Sequence, residues 1–218
     1  MKRNNSKYVD FIKWFQNYYI HIFIIILFLF LLIAFLAPLM MHLGYDRLGN
    51  AIYSVYSSLC HQFAHRSWFL FGQQSHYPIV KGNFLSERTL TEVFGNNTTE
   101  MNISRKIIGN QEAGYKVAIC QRDVMIYFSL LVFSILFYFF KNKIKKIPFM
   151  YWIIFAIMPI AIDGIWQLLT TIKLFNFPNH ESTPLIRSIT GGLFGFFSGW
   201  YILPAMMDTF DNVNNESC

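Results

Sequence analysis

Charge is scarce in this sequence. Asp, Glu, Lys and Arg make up 14% of the 218 residues, against roughly 25% in an ordinary soluble domain, which excludes an ordinary soluble enzyme and a disordered tail protein alike. No internal repeat and no low-complexity linker is present. Eighteen basic residues against twelve acidic ones give a net charge of +6, but they sit in short clusters beside apolar runs. A continuous basic stripe with interleaved aromatics is missing, so nucleic acid is not an expected partner. Three cysteines leave at most one pair and one free thiol. What is plentiful is apolar: 54% hydrophobic residues, 24 of them Phe, gathered in long blocks that share their core with lipid.

Ile22 to Met41 carries no charge and is broken only by Pro38; at 1.5 Å per residue it crosses a ~30 Å hydrocarbon core. Leu39-Met40-Met41-His42-Leu43 offers no small-residue cleavage site, so the segment reads as a retained helix, not a signal peptide. Further spans are expected at 123–140, at 147–172 with Pro148 in the first turn, and at 185–207 around the glycine-rich centre Gly191 to Gly199, whose small residues permit close helix approach. Lys2, Arg3, Lys7 and Lys13 precede the first span, and Lys141, Lys143, Lys145 and Lys146 fill the loop 141–146. The positive-inside rule therefore places the N-terminal residues 1–21, that loop and the tail 208–218 in the cytoplasm, and 42–119 and the short loop 173–184 outside. The expected fold is an all-α, multi-pass protein of the cell membrane with four transmembrane helices, an interfacial helix and a long extracytoplasmic loop.

That loop divides in two. Residues 46–71 place Leu48, Ile52, Val55, Tyr56, Leu59 and Phe63 at helical spacing, which predicts an interfacial helix. Residues 72–114, rich in Asn, Thr, Ser and Gly, read as a polar surface insert with a short strand or two, and Asn96, Asn97 and Asn102 begin glycosylation sequons.

Ionisable side chains inside spans mark functional candidates by default, because each costs ~2.5–3.5 kcal/mol or more to insert. Asp163 lies roughly 24 Å from the inner face, and Gln167 is one turn further out. Arg122 and Asp123 open the second span, and Arg187 and Thr190 the fourth. Three helices thus place polar groups at one level, beneath Cys60-His61-Gln62 and His65-Arg66-Ser67 and beside Cys120. A polar chamber is expected there, with Asp123 and Asp163 neutralised by Arg66, Arg122 and Arg187.

These residues fall into motifs. Cys60-His61-Gln62 with Arg66-Ser67 and Phe69-x-x-Gly72, then Cys120-Gln121-Arg122-Asp123 with Ile126-Tyr127, then Asp163-Gly164-x-x-Gln167, and last Glu181-Ser182, Arg187, Thr190-Gly191 and Gly195 stand in order along residues 45 to 200. The series resembles the bacterial and archaeal membrane-protein family described as domain of unknown function 2085. The resemblance implies a polytopic membrane protein and brings no reaction with it. Many relatives carry cysteine where this chain has Asp123, and many have only a short connection between the first two motifs.

The cysteines leave alternatives open. A Cys60–Cys120 disulfide on the oxidising side would pin the interfacial helix to the second span. Alternatively Cys60, His61, Cys120 and Asp123 form an S/N/S/O set that zinc accepts, with His65 as the easier partner of His61 by spacing. A thiol-redox role would need a resolving cysteine where Asp123 stands. With a metal, hydrolysis or transfer on a lipid or anionic substrate follows: Asp163 or Asp123 as base with Gln167 beside it, and Arg66, Arg122, Arg187 and Thr190 holding the substrate. The non-enzyme alternatives are a scaffold or membrane-complex subunit, and small-solute passage along Asp163, Gln167 and Arg187, for which the inner halves of the spans supply almost no polar path. Besides the bilayer, a homo-oligomer or larger complex stays open.

Overall fold

The computed structural model describes residues 2–79, 87–95, 98, 100–172 and 182–216. Helix α1, Lys2–His42, is a single rod, because its Leu/Ile/Phe run meets no glycine before residue 44. Gly44, at φ +81°, then closes it: the amide of Tyr45 reaches back to the carbonyl of Met40 (2.9 Å) and that of Gly44 to Met41 (3.1 Å), a Schellman arrangement that needs the left-handed residue.

Helix α2, Asp46–Tyr56, returns along α1 in the opposite direction. Gly49 faces Met41 and Ala37, and the Tyr56 hydroxyl donates to the Phe30 carbonyl at 2.6 Å. The helix expected over 46–71 therefore stops fifteen residues early. Its apolar spacing runs on through Leu59 and Phe63, but from Ser57 the chain turns, and Gln62 adopts φ +53°. That conformation lets the Gln62 amide donate to Tyr53 O (2.9 Å) and Ala118 O (2.8 Å), and these long-range bonds outweigh one more helical turn.

A 3-10 turn at Ala64–Arg66 leads into strand β1, Ser67–Leu70. The polar insert adds α3, Leu90–Phe94, opened by a Thr89/Glu92 capping box, then α4, Met101–Lys106, and β2, Gly109–Asn110. Strand β3, Gly114–Cys120, completes an antiparallel sheet of order β1-β3-β2, with Ser67 opposite Cys120 and Phe69 opposite Lys116. Among the sequons, Asn96 and Asn97 lie outside the described residues. In that of Asn102 the hydroxyl of Ser104 is wholly buried; it accepts from the Ala64 amide (3.1 Å) and meets His65 Nδ1 (3.0 Å).

Helix α5, Gln121–Phe140, follows β3 without a break. The third apolar run forms α6, Phe149–Trp152, a π turn, Ile153–Ile157, and α7, Met158–Ile172. The wide turn, closed by the Met158 amide on the Ile153 carbonyl, precedes Pro159, which has no amide hydrogen to continue the ladder. Helix α8 is Pro184–Glu216. Within these elements, Trp14–His42, Gln121–Phe140, Phe149–Leu169 and Pro184–Phe210 are long and apolar enough to cross a membrane. The four-span, mainly helical architecture is thus the one expected, with the sheet added at the α2 end.

Two apolar clusters hold this bundle. At one end Tyr19, Phe133, Phe137 and Leu203 pack together; toward the other, Leu27, Leu31, Ala34 and Ala37 of α1 pack against Tyr53, Tyr56, Val117, Ile119 and Val124. The small residues Ala34 and Ala37 are what let a strand lie on a transmembrane helix.

Candidate metal centre at the α2 end

The end of β3 and the start of α5 put Cys120 and Asp123 on one short segment, and the loop after α2 delivers Cys60 to it. The ligand atoms of these three side chains all lie within 4.8 Å of one another. Both cysteines are free thiols in this structure. The Cys120 thiol hydrogen-bonds to Cys60 and holds the Cys60 thiol below its ordinary pKa; the same bond, reinforced by burial, pushes Cys120 up. A hydrogen bond of this kind favours the thiolate of Cys60, the form that binds metals. A cleft of about 130 Å3, lined by Ser57, Ser58, Leu59, Cys60, His61 and Arg105, reaches the site.

His61 does not join the three. It is exposed and stacks on Phe63, ring centroids 5.5 Å apart, which corrects the S/N/S/O set expected above; adjacent residues diverge too far for both to turn inward. His65 is buried and turned the other way, against Ser104. Burial first, then the charges of Arg66, Arg187 and Lys116, lowers its pKa to about 3, so the ring is neutral.

The remaining polar candidates are placed but not gathered around an open substrate site. Arg122 is ion-paired with Asp163 across α5 and α7, one pair out of the neutralisation expected among Asp123, Asp163, Arg66, Arg122 and Arg187, and it engages the carboxylate proposed as a base. Arg187 is 2% exposed and donates to the His65 carbonyl (3.2 Å) and Gln121 Oε1 (3.4 Å); it ties the start of α8 to the Cys60 loop. Thr190 donates to Ile186 O within its own helix (2.9 Å). Arg66 lies over the Phe63 ring at 5.6 Å, and Gln167 is buried on α7.

Lys116 was hidden from sequence reasoning. It sits in β3 with no exposed surface, and its Nζ donates to the carbonyls of Gln62 (2.7 Å) and Arg105 (2.8 Å). With Gln62 and with Gln121, whose amide donates to Ser67 O at 3.2 Å, it fastens the Cys60 loop to the sheet and α4. No pattern in the sequence distinguishes it from a surface lysine. Burial lowers its pKa from 10.5 to about 7, and a neutral amine has two hydrogens for its two carbonyls. Because the unfolded chain still binds this proton above pH 7 and the folded one does not, stability is expected to rise between about pH 7 and 10.5, by up to about 1.4 kcal/mol per unit. The unfolding midpoint in detergent checks this against Lys116→Met: the gap between the two should change with pH over that window, and parallel profiles would refute it.

Comparison with other proteins meets these residues at the β3–α5 junction. Residues 111–201 match the family described as predicted membrane protein (DUF2085). The DUF2085 match takes in Cys120, Arg122, Asp123, Asp163, Gln167 and Arg187, and bears out the resemblance carried by the motifs; the Cys60 motif lies ahead of it. An uncharacterized protein of Methanocaldococcus jannaschii is 29% identical over 199 residues, 88% of this chain and 95% of the relative. No solved structure matches.

Proposed function

We propose that Cys60, Cys120 and Asp123 bind a thiophilic divalent metal, zinc above all, and that the α2 end of the bundle, with this centre, faces outside the cell. The observation that carries the reading is the convergence of two sulfurs and a carboxylate, from segments about 60 residues apart, to within 4.8 Å. Zinc–sulfur bonds of about 2.3 Å set the edges of a tetrahedral site near 3.8 Å, so closure by about 1 Å suffices. Cysteine in place of Asp123 in relatives is a change of ligand type that zinc accepts. The orientation is supported by the lysines of 141–146 and the basic residues of 2–13 at the opposite end.

Three protein ligands leave one coordination position, the pattern of catalytic rather than structural zinc. A metal there would polarise a substrate oxygen and acidify water. Around it Arg105 walls the approach and offers an anion its guanidinium, while Asp163 stays with Arg122. The chemistry this favours is hydrolysis or group transfer on an anionic substrate.

Elemental analysis of the detergent-purified chain is expected to give about one zinc per protein, and Cys60→Ser or Cys120→Ser to remove nearly all of it. Thiol titration under denaturing conditions should then find three reactive thiols in the wild type. Absence of metal together with a Cys60–Cys120 disulfide would overturn the reading.

A further inference from the structure

A larger cleft, of about 570 Å3, lies beside the thiol centre and shares Ser57 and Arg105 with its approach. α2 contributes Asn50 and Ser54, and α4 contributes Asn102, Arg105 and Lys106; no carboxylate lines it. Arg105 is held in place by a hydrogen bond from Nη2 to the Ser57 carbonyl at 2.6 Å, so its fork is oriented before any ligand arrives. Lys106 is exposed and has no ion-pair partner among the described residues.

Depth identifies the ligand class. Phe30, which accepts the hydrogen bond of Tyr56, lies twelve residues and so about 18 Å down α1 from His42. α2 therefore stands alongside α1, whose apolar segment Trp14–His42 is 29 residues long, about 43 Å against a ~30 Å core; with its inner end at Trp14, the core's outer edge falls near Ile33 and Phe35, both exposed. On α4, Met101 and Ile103 are exposed as well, directly next to the cations. Apolar surface gives way to positive charge at this height, the profile of a headgroup region.

We propose that this cleft binds a phosphate-bearing anion, the headgroup of an anionic phospholipid in the leaflet at the α2 end, with Arg105 and Lys106 on the phosphate oxygens and the Asn50 and Asn102 amides beside them. The site does not depend on a metal. Fork-shaped guanidinium suits phosphate oxygens in pairs, and the ammonium adds a point charge. The same chemistry would take a soluble phosphate ester, and the test separates the two sources.

The full chain in neutral detergent is titrated with phosphatidylglycerol and phosphatidylcholine and followed by native mass spectrometry. Preferential retention of phosphatidylglycerol, weakened about fivefold in Lys106→Gln and further in Lys106→Gln/Arg105→Gln, supports a lipid ligand. Calorimetry with inorganic phosphate is the second arm: saturable binding lost in the same variants, without discrimination between lipids, supports the anion site and assigns a soluble source. Lys106 is exposed and has no ion-pair partner among the described residues, so an unchanged unfolding midpoint in Lys106→Gln keeps the result interpretable if Arg105→Gln loosens the loop. Equal retention of both lipids with no phosphate binding, or variants indistinguishable from wild type, would overturn the proposal.

Discussion

Alanine at Gly195 is expected to destabilise the protein by about 3 kcal/mol, the upper part of the range for overpacking. A Cβ there would overlap the carbonyl oxygen of Ile126 and the hydroxyl of Ser129 on α5. Both obstacles are on the facing helix, one of them backbone, so relief requires α5 and α8 to separate along their whole contact. Gly192, one residue along the motif from Gly191, provides the contrast: a Cβ at that position meets nothing closer than Met125 Cε at 3.9 Å. Gly192→Ala should be neutral or stabilising by up to about 1 kcal/mol, the helix-propensity gain. Unfolding midpoints of the two variants in one detergent decide the matter, and equal effects would show that glycine spacing alone, not contact, had been read.

Removal of the Arg187 guanidinium is expected to cost at least as much. Arg187→Met keeps the length and apolar stem but leaves the His65 carbonyl and Gln121 Oε1 without this donor. A hydrogen bond to a charged group contributes about 1.5–3 kcal/mol, so a loss of about 3 kcal/mol or more is expected, with Arg187→Lys recovering part of it. If Arg187 instead held a substrate anion, Arg187→Met would fold as well as the wild type and lose only ligand. Thermal unfolding with a measured folded yield separates the outcomes.

Both predictions concern residues that sequence reading singled out, and they show what it reached. The four spans were legible because twenty or so apolar residues in a row admit few other readings, and opposite charges at one depth set Asp123 and Asp163 against three arginines, though not which arginine meets which carboxylate; only the structure pairs Arg122 with Asp163. Arg187 was legible as buried and important but not as to partner, since a backbone carbonyl leaves no mark in a sequence. The Cys60 loop was misread as helix because Leu59 and Phe63 keep the period while Gln62, an unremarkable residue for a turn, takes its conformation from bonds to Tyr53 and Ala118. His61 was assigned to the metal by adjacency, which a regular or turning chain equally well points away. Arg105, in the polar insert, and Lys116, just after it, were missed for the converse reason: charge in or beside a polar stretch looks solvated, and the burial of Lys116 shows only once β3 is paired with β1.

The insert also leaves and rejoins the bundle at a single point. The Gln73 amide donates to the Glu112 carbonyl at 3.3 Å, Arg88 bridges Gln73 and Glu112, and Gly72 and Gly114 are pressed so closely against Ala113 and Leu70 that neither has room for a Cβ. When entry and exit coincide, length is nearly free: stretching a connection from about four residues to about forty costs only roughly 2 kcal/mol in closure entropy. Leu90 and Tyr77, packed on Ala64 and Phe69 in a small core of their own, are well placed to offset that. The insert is in this sense an extension that can be shortened, lengthened or exchanged across relatives while the helices beneath it keep their register.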